Sequence, residues 1–435
     1  MRPPTEPRTG PRTRTRLYAL STVLLACALT FPTASAAPAA SGAAAEPTVE
    51  EARLSAGPVP GEILRRAGFD DVAPEFARAL ADTATAEEAR ELAGRAGREL
   101  WRRAVDRAQG RGDQAAELSP DDDRPLYWAR LGMTRAVRQW QPAFPLDAAG
   151  RADLLARLER ASRGQDSLDF PADDGVRRAV VTGFDPFQLD GDIRRSNPSG
   201  AAALALDGTV LTTPSGPVRV ETAVFPVRWA DFAEGTVERT LLPHFTPGPR
   251  QADLFLTVSQ GRPGQFDLER FNGAWRGGAL DNVRESDTGT VPVPGDVPTV
   301  DPQPQWTVTT LPYRRIIEAG TGPFPVFDNT FVREIPAGAT TPVPRPDGPT
   351  PGSTAREGSG GDYLSNEIAY RATLLRDALD PALPGGHLHT PVLEFGPGNT
   401  FPDTGEITDE VFVRNRLDIT AQVREVVGAA ADAPR

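Results

Sequence analysis

Short apolar runs alternate with helical segments after Gly175, and this alternation constrains the fold more than any other feature of the chain. The predicted strands are Val176–Thr182, Val218–Pro226 and Asp253–Val258. Helices are predicted between them, over 200–206 and 232–244. Apolar strands that alternate with helices are typical of a mostly parallel, twisted sheet covered by helices on both faces. The sequence therefore predicts an α/β domain over 176–435, with ligands bound at the carboxyl ends of strands.

An all-helical extension is predicted before this domain, over 61–170. Apolar residues recur there at helical spacing, and further helices are expected over 126–140 and 147–161. Asp121–Asp123 follows Pro120 in a polar connection. We interpret it as a solvated loop that caps a helix rather than as a cation site, because no glycine-containing metal loop follows. The extension is expected to act as a lid, a substrate-length filter or a contact surface for a partner.

The first residues have the pattern of a secretory signal peptide. Five arginines precede the apolar run Leu17–Phe31, and Ala34-Ser35-Ala36 provides a small-residue cleavage site. The run is shorter than the roughly 20 residues that a membrane span needs. We expect a signal peptide over 1–36, a disordered linker over 37–60 and a secreted protein without a membrane anchor. A lipoprotein attached through Cys27 is less favoured, because the residues after Cys27 stay apolar.

Composition excludes several classes of function. Cys27 is the only cysteine, so a chain cleaved after Ala36 has no disulfide, cysteine metal site or thiol nucleophile. The net charge of −12 makes nucleic acid a poor partner. No cofactor or metal is expected, since His387 and His389 share a strand face without an obvious third ligand.

Three segments carry the candidate chemistry. They are Thr182-Gly183-Phe184-Asp185-Pro186-Phe187 with Asn197-Pro198 downstream, Glu269-Arg270, and Tyr363-Leu364-Ser365-Asn366 with His389-Thr390-Pro391 downstream. In this order they resemble the pyroglutamyl peptidase I (pyrrolidone-carboxylate peptidase) family, whose pattern runs T-G-F-x-P-F, N-P, E-R, Y-x-C-N and H-x-P. The resemblance covers about Val176 to the C-terminus. Ser365 stands where the family has its nucleophilic cysteine.

The resemblance implies a catalytic set. Ser365 would be the nucleophile, His389 the general base and Glu269 the carboxylate that orients His389, while Phe184 and Phe187 would wall the pocket for a pyroglutamyl ring. Backbone amides near Ser365 and near the Gly183 turn are candidates for an oxyanion hole. The residues themselves are compatible with these roles, because the chain has only three histidines and few candidates for a base at neutral pH.

Each residue also has a plainer interpretation that the sequence leaves open. Ser365 could cap a helix, Glu269 and Arg270 could form a surface ion pair, and the two phenylalanines could be ordinary core. His387 is interpreted as incidental and His244 as a charge at a helix C-terminus. The Pro-rich segment over 322–361 is interpreted as a functional loop, a lid or a partly mobile insertion.

Serine in place of cysteine leaves three functions to compare. The first is a secreted hydrolase that removes an N-terminal pyroglutamyl or similar cyclic amide group from a peptide or small amide by Ser-His-Glu acyl transfer. The second is an inactive relative that binds blocked peptide N-termini. The third is an extracellular interaction protein that uses its helical extension. A serine hydroxyl is a far weaker acid than a thiol, so the first function demands close contact with His389 and a well-aimed oxyanion hole. The oligomeric state is left open.

Overall fold

The computed structural model describes residues 45–112, 116–171 and 175–432. The expected signal peptide and Cys27 lie outside these residues. The described helices are α1 (Val49–Arg53), α2 (Val59–Ala67), α3 (Val72–Ala81), α4 (Ala86–Ala108), α5 (Arg124–Gln139), α6 (Ala148–Ala161), α7 (Pro198–Leu206), α8 (Trp229–Ala233), α9 (Thr236–Phe245), α10 (Tyr313–Glu318), α11 (Leu364–Leu379) and α12 (Glu410–Ala431). In these ranges, no helix combines the length and the apolar character that crossing a membrane requires.

The described ranges contain fourteen strands, of which three were predicted. They are β1 (Arg177–Phe184), β2 (Thr209–Thr213), β3 (Gly216–Phe225), β4 (Leu254–Gln260), β5 (Phe266–Glu269), β6 (Phe271–Gly273), β7 (Trp275–Gly277), β8 (Thr288–Thr290), β9 (Trp306–Val308), β10 (Val326–Asn329), β11 (Val332–Ile335), β12 (Val343–Arg345), β13 (Thr354–Glu357) and β14 (Gly385–Thr390). The three strands predicted after Gly175 correspond to β1, β3 and β4.

Seven of these strands form the central sheet, in the order β10-β5-β14-β4-β1-β3-β2. The strands β4, β1, β3 and β14 pair in parallel with their neighbours in that group, and β10 pairs in parallel with β5. Within this seven-stranded sheet, the described strands pair antiparallel where β5 meets β14 and where β2 meets β3. The prediction of a mostly parallel α/β sheet is confirmed.

Alternating side chains along the strands build a core on each face of the sheet. Val181, Leu256 and Leu388 point to the face that α7 and α12 cover. Val180 and Phe255 point to the opposite face, which α9 and α11 cover. The period of two along a strand explains the division. The polar residues Thr257, Ser259, His387 and His389 fall on the α11 face, so α11 covers the strand ends that carry them.

The helical region begins earlier than predicted. The sequence predicts a disordered linker over 37–60. Helix α1 begins at Val49 and α2 at Val59, so this prediction is wrong from Val49 onwards. Thr48 and Glu51 form a capping box, and Glu50 and Glu51 are buried. Burial is tolerated because Tyr127 donates a hydrogen bond to Glu50 over 2.9 Å and Thr134 donates one to Glu51 over 2.7 Å.

The Asp121–Asp123 segment is buried rather than solvated, so its interpretation as a polar surface loop is wrong. Asp122 accepts two hydrogen bonds from the Arg124 guanidinium, at 2.6 and 2.9 Å, and Asp121 accepts one from Arg416 at 2.6 Å. Asp123 makes no capping bond to α5. Arg124 is close to Asp122 in sequence, but Arg416 lies 295 residues from Asp121, and a local pattern in the sequence does not reveal that contact.

The Pro-rich segment over 322–361 is built into the fold. Strand β10 extends the central sheet by pairing with β5, and β11 pairs with β12 and β13 in a separate small sheet. Part of the segment thus forms regular strands, and its interpretation as a functional loop, a lid or a partly mobile insertion stays a prediction. Pro and Gly residues occupy the turns between short strands, where their fixed or permissive dihedrals suit the chain reversals.

Candidate active site

Ser365 is the second residue of α11, at the end of the helix that faces the strand termini. The N-cap position belongs to Tyr363, and the Ser365 hydroxyl donates a hydrogen bond to the Gly360 carbonyl at 3.2 Å. A capping serine would accept a bond from a helix amide instead. The interpretation of Ser365 as an N-cap is therefore wrong, and its half-buried hydroxyl is left for another role.

The first amides of α11 form the better oxyanion candidate. Within the described ranges, the amides of Leu364 and Ser365 have no acceptor. Free N–H groups and the positive end of the helix dipole both favour a developing negative charge. At the Gly183 turn the amides are occupied, since that of Phe184 donates to the Ser199 hydroxyl at 3.1 Å and that of Asp185 to the Phe225 carbonyl at 3.0 Å.

His389 and Glu269 form a buried pair on neighbouring antiparallel strands. The distance from His389 Nδ1 to Glu269 Oε1 is 2.6 Å, and Glu269 is only 1% exposed. The second carboxylate oxygen accepts a hydrogen bond from the Asn329 side chain at 2.8 Å. A carboxylate held in this way fixes the ring so that Nε2 is directed away from it.

The plainer interpretation of Glu269 as the ion-pair partner of Arg270 is wrong. Arg270 pairs with Asp328 at 3.0 Å, and its guanidinium lies over the Tyr313 ring at 3.7 Å from the centroid. Arg270 follows the last residue of β5, and its side chain is directed to Asp328 and Tyr313, whereas Glu269 pairs with His389.

Gly360 lies between the serine and the histidine. A Cβ atom on Gly360 would lie 3.2 Å from His389 Cε1, and its carbonyl is the acceptor for Ser365. Ser365 and His389 therefore contact the same residue. In the described structure no hydrogen bond joins Ser365 to His389, and the Nε2 atom of His389 has no partner. Catalytic hydrogen bonds are often formed only once substrate is bound.

Ser365 opens onto a small pocket with an aromatic wall. The pocket residues are Phe184, Phe187, Asn197, Val227, Ser259, Gln260, Tyr363, Leu364 and Ser365. The rings of Phe187 and Tyr363 stack with their centroids 6.3 Å apart. Phe184 also belongs to the core and stacks on Phe232 at 6.1 Å. Three of the five predicted site residues, Phe184, Phe187 and Ser365, thus line one cavity. The cavity lies at the carboxyl ends of β1 and β4 and at the start of α11.

His387 is not incidental, which corrects the sequence-based interpretation. Its ring is fully buried, with Nδ1 2.8 Å from the Thr257 hydroxyl and Nε2 2.8 Å from the Ser259 hydroxyl. Burial and, to a smaller extent, the neighbouring His389 hold the pKa of His387 well below its usual value. The ring is therefore neutral at physiological pH.

His244 lies in the last turn of α9, at the helix C-terminus where it was predicted. It is buried, and burial lowers the pKa of its ring. For metals, the described residues contain no group of three or more His, Cys, Asp or Glu side chains that could hold an ion.

Sequence comparison matches both the helical region and the α/β region to one protein family. A model described as the PA0049 N-terminal domain matches residues 33–159, and one described as the PA0049 C-terminal domain matches 178–300 and 324–394. Uncharacterized protein PA0049 of Pseudomonas aeruginosa is 35% identical over 469 aligned positions, which cover 86% of this chain and 85% of that protein. The helical region and the α/β region are thus both matched.

Solved structures give a weaker likeness. Pyroglutamyl peptidase I from Bacillus amyloliquefaciens is 20% identical, with a TM-score of 0.40, over 59% of this chain and 96% of that one. Pyrrolidone carboxyl peptidase from Thermococcus litoralis is 16% identical, with a TM-score of 0.38, over 58% of this chain and 93% of that one. Structural similarity at these TM-scores gives no information about the activity of this chain.

Proposed function

The chain belongs to the PA0049 family, and we propose that it is a serine-type hydrolase that removes an N-terminal pyroglutamyl or similar cyclic amide group. One observation carries the proposal. A buried His389–Glu269 pair, 2.6 Å apart, lies next to Gly360, whose carbonyl accepts the hydrogen bond of Ser365 at the start of α11. The order of the sequence motifs that resemble pyroglutamyl peptidase I supports the choice of substrate class.

The proposed reaction is acyl transfer in two steps. Ser365 Oγ attacks the carbonyl carbon of the scissile amide while His389 Nε2 takes the hydroxyl proton. The amide C–N bond then breaks, and His389 returns the proton to the departing amine. Water, deprotonated by His389, hydrolyses the resulting ester and regenerates Ser365. Glu269 holds the Nδ1 proton throughout and stabilises the imidazolium that forms.

Two features would make a serine competent at this position. The free amides of Leu364 and Ser365 can stabilise the oxyanion, which is commonly the largest contribution to such reactions. The Ser365 hydroxyl must also exchange its hydrogen bond to the Gly360 carbonyl for one to His389 Nε2. A hydroxyl also resists the oxidation that an exposed thiolate suffers outside the cell, which fits the proposed secretion of the protein.

The test is release of a fluorescent amine from its pyroglutamyl amide by the purified protein. The proposal expects turnover in the native chain that falls at least about 10³-fold in Ser365→Ala, because the nucleophile is gone. Ser286→Ala, which removes an exposed hydroxyl bonded to the Gly278 carbonyl, is the matched control and should retain full activity. Equal activity in native protein and Ser365→Ala would refute the assignment.

A second candidate is a binding protein without activity. The hydrogen bond from Ser365 to the Gly360 carbonyl, in place of one to His389, favours it. In that case the native chain is silent in the amine-release assay, whereas Ser365→Cys gains activity, since a thiol held beside a histidine ionises far more readily than a hydroxyl.

A further inference from the structure

Ser259 reaches the pocket from a strand that the proposed mechanism does not use. It is the second-last residue of β4 and lies opposite His389 of β14 in the parallel ladder. Its side chain lines the same cavity as Phe184, Phe187 and Ser365. A ligand held between the aromatic wall and Ser365 therefore occupies a cavity that Ser259 also lines.

The hydrogen bonds around His387 set the direction of that hydroxyl. The Thr257 hydroxyl lies 3.2 Å from the Gly386 carbonyl, which can only accept, and 2.8 Å from His387 Nδ1. We assign its one proton to the carbonyl, so that towards Nδ1 the hydroxyl acts as an acceptor. The Nδ1 atom of His387 therefore carries the single proton of the neutral ring. This assignment follows from the hydrogen-bond network, which is how a histidine tautomer is fixed.

The other ring nitrogen must then accept. Nε2 of His387 has a lone pair, and the only proton available across the 2.8 Å contact is that of Ser259. The Ser259 hydroxyl consequently directs its proton at His387 and its lone pairs elsewhere. Since Ser259 lines the cavity, it presents a hydrogen-bond acceptor there and has no donor to offer.

We propose that Ser259 is a specificity-determining residue that accepts a hydrogen bond from the ring N–H of the substrate, and that His387 is the positioning residue that fixes Ser259 as an acceptor. The inference rests on the proposed function, since it assumes a pyroglutamyl ring in the pocket. That ring has one donor, its lactam N–H, and one carbonyl acceptor. A pocket that offers a fixed acceptor selects rings that carry the N–H, because an analogue without it leaves the buried hydroxyl unmatched.

The experiment measures binding, which is independent of turnover. Calorimetry on the full chain carrying Ser365→Ala compares pyroglutamyl methylamide with 3-oxocyclopentane carboxylic methylamide, in which CH₂ replaces the ring N–H. The expected preference for the lactam is about 10-fold, the usual value of one neutral hydrogen bond. Ser259→Ala in the same background should reduce the preference to about 1, while Ser286→Ala leaves it unchanged.

The positioning role of His387 has its own readout. In His387→Gln the side-chain carbonyl can still accept from Ser259, so the preference for the lactam is retained. In His387→Leu it is lost, and melting temperatures of both variants show whether they are folded. The chain in which Ser259 and His387 are unchanged already tests the proposal without a mutation in the core, because it must bind the lactam more tightly than the analogue without the ring N–H.

The outcomes separate this inference from the proposed function. A lactam preference that disappears in Ser259→Ala supports the inference, even if the amine-release assay finds no turnover. Equal binding of the two ligands, a preference that survives Ser259→Ala, or no binding of either ligand overturns it. Turnover that depends on Ser365 but not on Ser259 would leave the hydrolase standing and remove Ser259 from substrate recognition.

Discussion

Gly261 decides how closely the end of β4 can approach the imidazole of His389. A Cβ atom at Gly261 would lie 2.7 Å from His389 Cβ and 2.8 Å from Cγ. Real side-chain contacts are longer than this, so any larger residue must push the ring or the strand end away. The absence of a side chain at this position is thus part of the site.

We expect Gly261→Ala to reduce the rate of amide hydrolysis about 10²-fold, because a shift of the order of 1 Å in a catalytic group has that effect. The loss of stability should be moderate, about 1–3 kcal/mol for overpacking. Both are measured on the purified variant, by amine release and by urea unfolding. Gly295→Ala, where an added Cβ meets no atom within 4 Å, is the matched control. Full activity in Gly261→Ala would show that His389 does not need its present position.

At the residue scale the sequence identified the parts of the site that have local signatures. The motif order led to Ser365, His389 and Glu269, and the His389–Glu269 contact is present. It did not identify Ser259 or His387 as partners, because their contact depends on the register between β4 and β14. Sheet register is a tertiary property with no signal in one strand alone.

Strand β10 carries the residue that completes the support of Glu269. It pairs with β5 in parallel, so Asn329 lies opposite Glu269. The Asn329 amide donates to Glu269 Oε2 and to the Ser359 carbonyl, both at 2.8 Å. It thereby ties the carboxylate to the segment that leads to Gly360. The Pro-rich segment therefore helps to position Glu269, and through it the base His389.

We expect Asn329→Ala to lower kcat about 10-fold with little change in KM, since the carboxylate loses one of its two restraints but the pocket is unchanged. Steady-state kinetics on the fluorescent amide give both constants. Thr330→Ala removes a hydrogen bond to the Pro346 carbonyl in the same segment, and it should leave kcat as it is. An increase in KM alone would place Asn329 in substrate binding instead.

At the element scale the predictions succeeded where apolar periodicity is strong and failed where it is absent. The helices expected over 126–140 and 147–161 are α5 and α6, and the early strands agree within about two residues. The short strands β10 to β13 were missed because Pro and Gly dominate their surroundings. Such strands are stabilised by their neighbours in the sheet more than by their own propensity.

The helical region and the α/β region are joined by buried ion pairs behind the pocket. Asp185, which lies between the two pocket phenylalanines, accepts hydrogen bonds from Arg130 at 2.6 Å and from Arg163 at 2.8 and 3.0 Å. All three side chains are nearly inaccessible. Breaking a buried pair of this kind costs about 3–5 kcal/mol. The helical region thus positions the pocket wall, a role that the sequence did not suggest.

Asp123 makes a second contact between the helical region and the α/β region. Its carboxylate accepts a hydrogen bond from the amide of Asn197, a pocket residue, at 3.0 Å. Burial, and then the charge of Asp122, raise the pKa of Asp123 from 3.8 to about 7. An acid whose pKa is raised on folding contributes stability that is complete below about pH 4 and is lost as the pH rises through about 7.

We therefore expect Asp123→Asn to become more stable relative to the native chain as the pH rises from about 4 to about 7, because the amide does not ionise. Urea unfolding of both proteins at several pH values measures the difference, in which the shared contribution of other groups cancels. Asp70→Asn, at an exposed position, is the control and should give a flat difference. A flat difference for Asp123→Asn as well would contradict the raised pKa.

For the whole molecule, the charge composition did not predict these buried ion pairs between aspartates and arginines. Aspartates in a run are ordinarily solvated, and part of the charge that neutralises this run comes from a distant part of the chain, since Arg416 pairs with Asp121. The contact between the helical region and the α/β region depends on which helix faces pack together, and the sequence of one segment does not predict that.

The most direct test of the central claim is to identify the residue that carries the acyl group. Native protein is mixed with a pyroglutamyl ester, quenched in acid within the first turnover, and digested for peptide mass mapping. We expect a pyroglutamyl group on Ser365, and its accumulation in a variant such as Glu269→Gln, in which His389 is no longer oriented for the hydrolytic step. Turnover with the acyl group on another residue, or with no acyl-enzyme at all, would contradict Ser365 as the nucleophile.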